Sequence, residues 1–158
     1  MVYRCPILRF RSQAGESLQL TSISIGNAAG DVHLSRGTAR DVAFVLSCPG
    51  KHEEQAGHPA AGNTGNNLQR LLEHLGPRLD LPDLVRSHVT ITNAWPGVEY
   101  KGKTGRSEAS DEEVQQADNI RRLADELRHV SMLIVFCGEK AKLASQLLTK
   151  INFLPDSV

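Results

Sequence analysis

Three short runs carry the apolar signal of this chain: VAFVLS at residues 42–47, HVTITN at 88–93 and SMLIVFC at 131–137. All are rich in β-branched residues. The first and third are almost continuously apolar, the pattern of parallel strands covered on both faces. Between and after them the spacing changes to that of amphipathic helices. Leu68, Leu71, Leu72 and Leu75 form one stripe, capped at its start by Asn63 or Thr64 and ended by Gly76-Pro77. Ser110 with Glu113 makes a capping box opening a helix to about residue 128, with Ile120, Leu123, Ala124 and Leu127 inward. Gly138 begins a last helix carrying Ala141, Ala144, Leu147 and Leu148, and a shorter helix is predicted over 81–86 after the turn at Pro77.

Strands that alternate with helices predict an α/β fold, a three-layer α/β/α sandwich around a mostly parallel sheet. In such sheets ligands bind beyond the carboxyl ends of the strands. Three loops converge there: 47–62, 94–109 and the turn at Cys137-Gly138. The first forty residues read less clearly. LQLTSISIG at 18–26 alternates like a strand, and Asn27, Gly30 and Gly37 interrupt the pattern after it, so an edge hairpin or extension is expected ahead of a core at 41–150. The whole is expected to be one domain.

Composition narrows the partners. The chain has 158 residues, is 40% hydrophobic and 23% charged, and is only 4% aromatic, so its core must be mostly aliphatic. The apolar runs are too short to span a bilayer and MVYRCPILRFRSQ lacks the apolar centre of a signal peptide, so a cytosolic monomer without membrane contact or an obligate protein partner is expected. Cys5, Cys48 and Cys137 are far apart and form no CxxC pair, which argues against a zinc site or disulfide framework. Zero formal net charge argues against long-range attraction to nucleic acid but leaves room for a local basic patch.

The most particular stretch is residues 46–68. Pro49-Gly50 breaks the first apolar run, and a loop with Gly57, Pro59, Gly62 and Gly65 leads into a helix. A strand feeding such a loop can present unpaired N–H groups and a helix dipole to an anion. The pattern L46-S47-C48-P49-G50-K51-H52-E53, then G57-H58-P59-A60-A61-G62-N63-T64-G65-N66-N67-L68, resembles a signature of the uracil-DNA glycosylase superfamily, in its microbial iron–sulfur branch. The resemblance continues through Thr92-Asn93 and a basic glycine-containing loop to Gly138 and Ala141, over roughly residues 42–145. It implies an enzyme that flips a nucleotide out of DNA and hydrolyses its N-glycosidic bond.

Residue roles are implied by that resemblance. Asn93 takes the place of an amide that reads the base edge; read from spacing alone it caps a turn after a strand. Gly50, Lys51, Lys101, Lys103 and Arg106 are the candidates for DNA backbone contact, although a loop such as 97–108 is more commonly a solvated surface. Trp95 suits stacking on a base and ordinary packing equally. Ser47 and Cys48 stand where the family places a glutamate, or an Asp or Asn, that orients water. Asn63, aligned with an aspartate of another branch, and Glu53 therefore become the candidate catalytic residues. Glu54, His52 and His58 stand near them. Ala60 replaces a stacking phenylalanine, which implies room for a bulkier modified pyrimidine or a gap filled by another aromatic. The branch's cluster cysteines do not match, so no cofactor is expected. The chain reaches LPDSV where the family's last strand and histidine-bearing loop would begin, so both are expected to be missing. The runner-up reading is a non-catalytic DNA- or nucleotide-binding protein of the same fold, and a flavodoxin-like phosphate binder is the third.

Overall fold

The computed structural model describes residues 2–4, 31–39, 41–82 and 84–154. The three apolar runs form the strands β2 (Val42–Leu46), β3 (Thr90–Asn93) and β4 (Leu133–Phe136). All three are parallel, with β2 in the middle, and β1 (Val2–Arg4) joins β4 antiparallel to give the order β1-β4-β2-β3. The strand expected at 18–26 lies outside the described residues. On the far edge Ser35 makes a single bridge to Ile91, so a strap from 31–39 covers β3.

Helices cover both faces, as continuous apolar strands require. Ala43, Val45, Ile134 and Phe136 pack against α5 (Ala117–Leu127) and α6 (Glu139–Lys150), joined by Val114 of the short α4 (Asp111–Val114). Val42, Phe44, Ile91 and Leu133 pack against Leu68 and Leu72 of α2 (Gly62–Leu75). Among the described residues no helix is long and apolar enough to cross a membrane.

Several local expectations are corrected. The stripe on α2 is narrower than its spacing implies: Leu68 and Leu72 are buried while Leu71 is 43% exposed. Neither Asn63 nor Thr64 caps α2, because the helix already begins at Gly62 with Ala61 at the cap position. The capping box at Ser110 and Glu113 forms, but the helix it opens breaks after Val114. There the Asn119 amide donates to the carbonyls of Val114 and Ala94, replacing bonds that a continuous helix would make. Among the described residues of 81–86 no helix forms. A 3₁₀ turn at Pro77–Leu79 ends in left-handed Asp80, and Leu81 N–H closes back on the Gly76 carbonyl.

Two polar devices fix what surrounds the strand ends. Under the strap, the carboxylate of Glu126 on α5 accepts from the Thr92 hydroxyl at 2.5 Å and from Arg122 at 2.6 Å, and faces His33 Nε2 at 3.1 Å. The second ring nitrogen of His33 lies 2.5 Å from Asp31. Burial pushes the Glu126 carboxyl up, but the bonds from His33 and Thr92 and the Arg122 charge outweigh it and hold it below its ordinary value. The second device closes the loop before α2. Ala60 is fully buried in a left-handed conformation (φ 52°), and Arg86 donates to its carbonyl at 2.8 Å and to that of Pro59.

Substitutions at Gly65 and Glu126 test these two devices. A Cβ on Gly65 would sit 2.2 Å from the Ala60 carbonyl oxygen, so Gly65→Ala should lower stability by about 1–3 kcal/mol in denaturant unfolding. Glu126→Ala leaves Arg122 and His33 facing an empty partner and should cost about 3–5 kcal/mol. The stability that Glu126 supplies is complete above the ordinary carboxylate range and is lost as pH falls through its lowered folded-state value. Unfolding curves of Glu126→Gln should therefore show a flatter acid limb than those of the wild type.

Candidate functional site

The segments leaving β2, β3 and β4 are stitched together at one end of the sheet. Ala94 N–H donates to Leu46 (2.8 Å), Trp95 N–H to Ser47 (3.0 Å), Glu99 N–H to Pro49 (2.9 Å) and Cys137 N–H to Val45 (2.8 Å). The backbone alone thus brings the three predicted loops into one surface.

Glu53 shapes the first of them. On α1 (Lys51–Ala56), its two oxygens accept from the backbone N–H groups of Gly50 and Ala61, each at 3.0 Å. Both ends of the loop are tied to one carboxylate, and the Gly50 N–H is occupied by it rather than open to an anion. Asn63 stands exposed in the first turn of α2, with no partner among the described residues. The catalytic candidates therefore differ: Asn63 is open to solvent and Glu53 is bound twice to its own loop.

The residues expected around the base also separate. Ser47 and Cys48 are half-buried at the end of β2. Burial pushes the Cys48 thiol up, and the charges of Glu99 and Glu108 add to this against hydrogen bonds from Ala109 and Ser47. The group is thus kept as a thiol and not as a nucleophilic thiolate. Asn93 lies at the end of β3 but is only 1% exposed, its amide donating to the His33 carbonyl at 3.1 Å under the strap. Ala60 is fully buried in the core cluster that holds Phe44, Leu68 and Leu72. The space beside it is a cleft of about 410 Å³ on the flank, lined by His58, Asn66, Gln69 and Arg86.

The basic loop is largely neutralised by its neighbours. Lys103, on α3 (Lys101–Thr104), pairs with Glu54, which also accepts from the Tyr100 hydroxyl at 2.8 Å. The Lys103 bond and that hydroxyl hold the Glu54 carboxyl below its ordinary value. Arg106 donates twice to buried Glu99, at 2.6 and 2.9 Å, and once to Glu113 at 2.6 Å. Its guanidinium is taken up by two carboxylates. Lys51 and Lys101 are exposed and make no ion pair among the described residues.

Three participants lie outside the motifs that the sequence presents. Arg86 lacks a local signature, its carbonyl partner lying 26 residues away, and Glu126 shows only its i,i+4 spacing to Arg122, not the Thr92 hydroxyl 34 residues away. Glu108 comes from the far end of the basic loop and places Oε1 3.4 Å from the Ser47 hydroxyl. Its neighbourhood with Ser47 depends on a loop crossing that a linear pattern does not encode.

Residues 37–154 match the family model described as Uracil DNA glycosylase superfamily. No curated protein gives a significant match. The family match takes in all three parallel strands and every loop at their carboxyl ends, and on it the chain belongs to the uracil DNA glycosylase superfamily.

Proposed function

We propose that this protein is a monofunctional DNA glycosylase, acting on a uracil-like or bulky modified pyrimidine in repair or in defence against foreign DNA. The observation that carries the reading is the stitching of three loops into one surface at the strand ends of a member of this family. The base is flipped from the duplex against Ser47, Cys48 and the end of β3. Asn63 orients the attacking water, while Glu53 keeps the loop in shape. Gly50, Lys51 and Lys101 lie along the DNA backbone. Lys103 and Arg106 join them only by exchanging Glu54, Glu99 or Glu113 for phosphate. Base reading by Asn93 needs the strap at His33 to release its amide. The setting is a cytosolic monomer.

The second reading, a DNA- or nucleotide-binding protein of the same fold without catalysis, is favoured by one observation. Ser47 occupies the place of the family's carboxylate, and the nearest motif carboxylate, Glu53, is bound to backbone N–H groups.

A panel of duplexes carrying uracil or bulky modified pyrimidines separates the readings. Heat- or alkali-revealed breaks at one of these bases are expected, with rates about 100-fold lower in Asn63→Ala and Asn93→Ala. Salt-sensitive binding without breaks would favour the second reading. Undiminished rates in both variants would overturn the residue assignment, and action on plain uracil alone would overturn the bulky-base substrate.

A further inference from the structure

We infer that Glu108 supplies the carboxylate that the first motif lacks, facing the sugar of the flipped nucleotide from the opposite loop. The inference rests on the glycosylase reading and adds a catalytic residue to it. Four acidic residues lie in the loops at this end of the sheet. Glu53 holds two backbone N–H groups, Glu54 holds Lys103 and Tyr100, and Glu99 holds Arg106. Glu108 alone of the four has no cation and no backbone N–H among the described residues. Its one bond there is the 3.4 Å contact from the Ser47 hydroxyl. The nearby cation, Lys140, is already bonded to Asp111 at 2.5 Å.

Position matters as much as freedom. Ser47 is where the family resemblance places a carboxylate, and it is half-buried at the end of β2. The Glu108 carboxylate meets the Ser47 hydroxyl there, delivered by a loop whose base is fixed by Arg106 between Glu99 and Glu113. A carboxylate there does two things. It opposes the positive charge that grows on the sugar as the C1′–N bond breaks with its electron pair leaving on the base. It also takes the proton of the water whose oxygen forms the new C1′–O bond, and that proton then passes to the departing base.

The test compares wild type with Glu108→Gln and Glu108→Asp; Glu112→Gln, an exposed neighbouring acid, controls for charge alone. Single-turnover excision of the preferred base should fall about 100-fold in Glu108→Gln, recover in part in Glu108→Asp, and stay unchanged in Glu112→Gln. A second arm does not need turnover: binding of a duplex with a cationic pyrrolidine in place of the sugar, against one with neutral tetrahydrofuran. Wild type should prefer the cation about tenfold and Glu108→Gln should lose that preference. Glu108→Gln that keeps the preference would overturn the assignment, as would excision within about twofold of wild type. Absence of excision by wild type on any base would overturn the glycosylase reading instead, leaving the cation preference to judge the carboxylate's placement.

Discussion

A single carboxylate bridge, from Glu53 to the backbone N–H groups of Gly50 and Ala61, fixes the first of the loops at the strand ends, on which its neighbours pack. One bond reaches three residues back and the other eight residues forward, so the strand end, the short helix α1 and the start of α2 become one rigid corner. Bonds of this charged type are roughly twice as strong as neutral ones. Everything nearby is conditioned by the corner. Gly57 turns left-handed at φ 71°, Ala60 does so at φ 52°, and Gly65 must be glycine for the Ala60 carbonyl to pass. Arg86 then clamps the carbonyls that the turn exposes. A residue that looks like a catalytic acid from its motif thus has both carboxylate oxygens engaged by backbone N–H groups.

The charges on that surface are arranged in the same economical way. A chain with equal numbers of acidic and basic residues has little long-range field, and the basic loop is folded onto Glu54, Glu99 and Glu113. Such a face exerts little long-range pull on a polyanion, and on the proposed reading DNA would be met first by the unpaired Lys51 and Lys101. The same pairing stiffens the loop that carries Glu108. A carboxylate held there with no cation of its own among the described residues is what an electrostatic role at a developing cation demands.

Much of the fold is legible in the sequence. Continuous β-branched runs become three parallel strands, and Ser110 with Glu113 makes a true capping box. The expectations that fail do so for identifiable reasons. The helix expected across 110–128 breaks because the Asn119 side chain competes for the Val114 carbonyl. Residues 81–86 lose their helix to a turn closed by Gly76 and left-handed Asp80. At the site, the loop that binds Glu53 is visible as a motif, whereas the occupancy of that carboxylate by backbone N–H groups is not. Asn93 stands at the expected strand end, but its burial under His33 depends on a strap 60 residues away in the chain. Long-range pairs of this kind leave no periodic trace.

The claim that the strand ends form the DNA-engaging surface is tested most directly by amide chemical-shift mapping with a duplex carrying an abasic-site analogue. The account predicts shifts concentrated at residues 47–51, 63, 93–101, 108 and 138, with saturation weakened by added salt. Shifts confined to the opposite end, at the cleft lined by Arg36, Arg128 and His129, would contradict it.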